Sequence, residues 1–64
     1  MELEALVRRV RGEFLEMPGL RLTSAQATRL WGLEQELCER VVNTLVSAAF
    51  LRRTSSGAIV RADL

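Results

Sequence analysis

The chain contains no histidine and no lysine, and it has one cysteine, one proline, one tryptophan and two phenylalanines. Without histidine, the commonest general base and metal ligand is missing. Cys38 alone cannot close an internal disulfide, so the fold rests on packing and the expected compartment is the cytoplasm. One thiol and scattered glutamates give no metal-ligand spacing, and no glycine-rich loop is present to cradle a phosphate. No apolar run approaches the length of a transmembrane helix, and the N-terminal MELEALVRRV lacks the apolar core of a signal peptide. These absences lead us to expect a soluble, intracellular protein that is not an enzyme and carries no cofactor or metal.

The lack of lysine means that all nine basic residues are arginine. Each presents a planar, two-pronged donor suited to phosphate or guanine. A genome rich in G and C gives the same bias for codon reasons alone, which is the simpler explanation. A net charge of +1 is too small for strong sequence-blind attraction to a nucleic acid, so any basic patch must arise by local segregation. The 64 residues make one domain, 1–64, which at that size buries only ~60% of the surface its unfolded form exposes. With 48% hydrophobic and 27% charged residues, the composition is that of an ordinary globular protein.

What is present centres on Leu22 to Arg53. Thr23 is placed to cap a helix, with Gln26 three residues on completing a reciprocal capping box. Gly32 can take the left-handed conformation that closes that helix, and Glu34 and Glu36 then suit the positive end of the next one. Ala27, Leu30, Gly32, Leu33, Cys38, Val41, Leu45 and the closing Phe50-Leu51-Arg52-Arg53 together resemble the helix-turn-helix of the winged-helix families. The resemblance covers about half the chain. It implies a winged helix-turn-helix fold, mainly α with a small β-sheet, in the order helix, strand, helix, helix, strand, strand. Three departures stand out: Ala49 where a glycine is usual, Cys38 where a valine is usual, and Ala27 five residues before Gly32 rather than four. The last predicts a slight rotation of the first helix of the pair.

The flanks read consistently with this. Leu3, Leu6, Val7, Val10 and Phe14 form one apolar stripe on a helix from Glu2 to Glu16. Glu4 precedes Arg8 by four residues, the favourable order for a helical ion pair, and Gly12 weakens the helix locally. Met17-Pro18-Gly19 ends it. Leu20-Arg21-Leu22 suits a short strand, and a single helix is expected from Leu33 to Phe50. Leu51 to Thr54 and Ala58 to Arg61 flank Ser55-Ser56-Gly57 as a hairpin, with a two-residue and a three-residue loop both allowed. The expected core is Leu6, Val10, Phe14, Leu30, Leu33, Val41, Leu45 and Phe50. Trp31 is expected at its rim, where the indole N–H can find a partner.

If Cys38, Val41 and Leu45 point inward, Gln35, Glu36, Glu39, Arg40, Asn43 and Ser47 face outward. The resemblance implies that this face enters the major groove of double-stranded DNA, with Gln35, Glu39, Arg40 and Asn43 as candidate base contacts. Its carboxylates outnumber its one arginine, which opposes phosphate, although acidic residues in a first turn also simply complement the helix dipole. Candidate phosphate contacts are Arg21, Arg29, Arg52, Arg53 and Arg61; the hairpin arginines equally suit protection of an exposed strand edge. The functional expectation is DNA binding by a small transcription regulator or accessory factor, acting as a homodimer or with a larger protein partner. The competing class is a docking or dimerisation module, with Met1, Leu3 and Val7 as partner contacts unless the domain's own core consumes that stripe.

Overall fold

Apolar residues three and four apart wind Leu3–Glu16 into helix α1, whose Leu6, Val10 and Phe14 are buried. A computed structural model of the protein describes residues 3–63; Met1 and the Glu2 start expected for this helix lie outside them. Glu4 and Arg8 are both exposed, and the ion pair expected between them is not formed. The Met17 amide makes the last helical bond, to Glu13, before Pro18 ends the run. The Leu20 amide then donates to the Met17 carbonyl in a turn. That turn delays the first strand, so β1 is Leu22–Thr23 rather than Leu20 to Leu22.

Helix α2 (Ser24–Trp31) starts on the expected capping box. The Gln26 amide donates to the Thr23 hydroxyl at 3.1 Å, and the Gln26 side chain accepts from the Thr23 amide at 2.9 Å. It stops at Gly32, whose φ of 65° and ψ of 34° are left-handed. Helix α3 (Gln35–Ser47) is shorter than the Leu33 to Phe50 span expected from sequence. The Leu33 amide is used to close α2 on the Thr28 carbonyl. Glu34 is extended, and Ala49 turns left-handed at φ 61°. The Ala49 amide then bonds to Val46 and the Phe50 amide to Leu45, which terminates α3.

Strands β2 (Leu51–Arg53) and β3 (Ala58–Arg61) complete a three-stranded antiparallel sheet in the order β1-β3-β2. The hairpin loop is three residues, Ser55 to Gly57. The Thr54 amide donates to the Ala58 carbonyl, the Gly57 amide donates back to Thr54, and Gly57 sits at φ 87°. The register pairs Leu51 with Arg61, Arg52 with Val60, Arg53 with Ile59 and Leu22 with Ile59. The architecture is therefore mainly helical with a small antiparallel sheet, and the element order is the one read from sequence.

The core differs from expectation in its α2 contribution. Leu30 is 52% exposed, whereas Trp31 is 3% and Ala27 0% exposed. Ala27 and Trp31 are four apart and share one helical face, so the residue beside Gly32 turns inward and Leu30 is carried off it. The Trp31 ring is buried well inside the rim position expected for it, edge-on to Phe14 with centroids 6.3 Å apart. Its Nε1 donates to Glu13 Oε1 at 3.1 Å, which satisfies the one polar atom the ring brings inside. Leu33 and Phe50, expected in the core, are only partly buried against it. Leu22, Leu51 and Ile59 supply the sheet's share.

Candidate nucleic-acid interface

The buried side of α3 is Cys38, Val41, Val42 and Leu45. Period and burial therefore turn Gln35, Glu36, Arg40, Asn43 and Ser47 to solvent, with Glu39 half-buried. The candidate base contacts Gln35, Glu39, Arg40 and Asn43 thus lie on one side of one helix.

Arg53 reaches this side from β2. Its Nη2 donates to Asn43 Oδ1 at 3.0 Å and lies 3.5 Å from Glu39 Oε1. Glu39 and Asn43 are one turn apart, so one guanidinium spans both. Sequence alone sets Glu36 and Glu39 against Arg40 on this face. Arg53 makes it two charges of each sign, with Glu34 at the N-cap in excess. Nothing in the local pattern reveals that pairing, because it depends on how the hairpin sits against α3. Glu34 makes no side-chain cap bond to the amides of the first turn.

Beneath this face, Cys38 is 2% exposed. Burial pushes its thiol pKa up, and the neighbouring Glu39 carboxylate adds to the shift while Arg53 opposes it. The thiol packs in the core with Val41, Val42 and Leu45.

The remaining candidate phosphate contacts separate into different surroundings. Arg61 is engaged: its Nε and Nη2 donate to both Asp63 carboxylate oxygens at 3.0 and 2.9 Å, and its guanidinium carbon lies 4.8 Å from the Phe50 ring centre. Arg11 approaches the same ring at 5.1 Å. Periodicity does not reveal the part of Arg11, since its contact joins α1, β3 and the turn after α3. Arg21 donates to the Ser56 hydroxyl at 3.3 Å. With Leu20, Arg52 and Val60 it lines a depression beside the sheet, and with Leu22, Gln26, Arg29 and Leu30 it lines a second beside α2. Arg53 joins the outward side chains of α3.

Leu3 and Val7 are partly buried against the domain's own core, while the large apolar side chains most open to solvent are Leu15, Met17 and Leu30. Among the described residues no three acidic or thiol side chains gather where they could hold a metal ion, and no helix is long and apolar enough to cross a membrane. The chain matches no known family, no curated protein and no solved structure.

Proposed function

We propose that the protein is a small winged helix-turn-helix that binds double-stranded DNA as a cytoplasmic transcription regulator or accessory factor, without catalysis or cofactor. The reading rests on Arg53, which links the hairpin to Glu39 and Asn43 and offsets one of the carboxylates on the exposed face of α3. In this reading α3 enters the major groove. Arg40 pairs with guanine, Asn43 and Gln35 with adenine, and Glu39 accepts from cytosine, each good bidentate contact giving ~1 to 3 kcal/mol of discrimination. Arg52 and Arg53 hold phosphate from the hairpin. Arg61 instead fixes the hairpin base to Phe50 and Asp63, while Arg21 and Arg29 border an apolar depression that suits a different occupant.

One copy makes few contacts, so useful affinity calls for two on a palindromic or repeated site, or for a larger partner. Leu3 and Val7, each still partly open, are the homodimer contacts of this reading. The test is fluorescence anisotropy with random-sequence duplex DNA across a salt series. Binding should weaken steeply with added salt, and Arg52→Ala with Arg53→Ala should lower both the affinity and the slope. Absence of binding at low salt overturns the reading. The exposure of Leu30 favours the docking alternative, in which the same fold serves a protein partner.

A further inference from the structure

The shallow, open depression beside α2 is bordered by Arg21, Leu22, Gln26, Arg29 and Leu30. No carboxylate lines it. Two arginines, a glutamine amide and two leucines do, and Leu30 is the most exposed large apolar residue among those described, at 52%. Arg29 makes no ion pair among the described residues, and Arg21 spends one donor on Ser56. Leu30 is not part of the core, a role its inward neighbour Trp31 fills, and it shares the depression with both arginines. We infer that this depression is a docking site for an acidic peptide segment of a partner protein, one that presents an apolar side chain to Leu30 and carboxylates to Arg21 and Arg29.

The chemistry selects this occupant over nucleic acid. A phosphate backbone matches the two guanidinium groups but brings no aliphatic group to cover Leu30. A peptide with an apolar anchor between acidic residues satisfies all three, with Gln26 available to a backbone amide or carbonyl. The inference does not depend on DNA binding, because it uses none of the α3 side chains and not Arg53.

The experiment titrates fluorescein-labelled peptides, in which two glutamates flank each side of a single Leu, Phe or Trp, into the full chain at low salt. Matched peptides with lysine for glutamate serve as controls, and random duplex DNA is titrated in parallel. The acidic peptides should bind and the lysine peptides should not. Arg29→Glu and Leu30→Ser should each weaken peptide binding about tenfold or more, with circular dichroism verifying that both variants fold. Arg53→Ala should leave peptide binding unchanged while lowering DNA binding, so failure of the DNA reading is scored separately. Acidic peptides that bind no better than their lysine counterparts, or that bind both variants as well as the parent, overturn the inference. So does loss of DNA binding but not peptide binding in Arg29→Glu and Leu30→Ser, which would assign the surface to nucleic acid.

Discussion

Arg53 and Asn43 share a hydrogen bond of 3.0 Å between the first hairpin strand and the exposed side of α3. The same guanidinium lies 3.5 Å from Glu39, so its removal does two things at once: it takes away a cation and it uncovers a carboxylate. If α3 contacts DNA, Arg53→Ala should weaken binding more than Arg52→Ala does, because the released Glu39 repels phosphate. Glu39→Gln should strengthen non-specific binding and should partly rescue Arg53→Ala. Stability is a weaker readout here, since an exposed pair of this kind contributes ~0 to 1 kcal/mol. Equal effects of the two arginine substitutions, with no rescue by Glu39→Gln, would show that the Arg53 contact is structural only.

Ala49 holds a φ of 61° at the end of α3. A side chain in the left-handed region costs ~1 to 2 kcal/mol, and glycine avoids that at an unfolded-state entropy cost of ~0.4 to 1 kcal/mol. Ala49→Gly should therefore stabilise the fold by about 0.5 to 1 kcal/mol, raising Tm by about 2 to 8 °C. Ala49→Val should lower it, because β-branching adds to the clash. Thermal unfolding by circular dichroism reads both, and a Tm unchanged by the glycine would deny the strain.

Cys38 supplies a pH test with little background. The chain has no lysine, histidine or tyrosine, so beyond the terminal amine no other side chain titrates between neutrality and the arginines. Burial raises the folded thiol above its ordinary value of 9.0. Below that value both folded and unfolded chains hold the proton, and the contribution is complete. As pH climbs past it, the unfolded chain releases the proton while the folded chain keeps it. Stability therefore falls until the folded pKa is passed. The urea midpoint should drop as the pH is raised past the ordinary thiol value of 9.0 in the parent protein and stay nearly flat in Cys38→Val. A parallel drop in both proteins would place its origin elsewhere.

The element order was legible because it is written locally. The Thr23 and Gln26 capping box, the Gly32 stop, the Pro18 break and the Ser-Ser-Gly turn each depend on residues within a few positions of one another. Element ends were less legible. Leu33 is apolar and in register with α3, yet its amide closes α2, and only backbone geometry decides which helix receives it. The charge state of the candidate face was not legible at all. Arg53 is ten residues from Asn43 in sequence, and Arg61 is stacked on Phe50 by the sheet's placement against the helices. Those pairings follow from tertiary position, which periodicity does not encode.

The rotation of α2 is the sharpest departure and yields the most direct test. An apolar stripe through Leu30 and an apolar stripe through Trp31 are both compatible with an amphipathic helix of eight residues. The spacing of Ala27 from Gly32 is the one local hint between them. With Trp31 3% exposed and Leu30 52% exposed, Trp31→Ala should cost about 3 to 5 kcal/mol, as large-to-small substitutions of buried aromatics do. A chain this size has a total stability of only about 3 to 10 kcal/mol, so Trp31→Ala should remove a large share of it and be the least stable of the variants. Leu30→Gln should change stability by no more than about 0.5 kcal/mol, since its side chain already faces water. Glu13→Gln should be tolerated, because an amide oxygen still accepts from the indole N–H, whereas Glu13→Leu leaves that donor unsatisfied at about 1 to 3 kcal/mol. Urea unfolding of the four variants ranks them. A Leu30→Gln variant as damaged as Trp31→Ala would mean that α2 packs on the face the sequence first suggested, and the depression beside it would close.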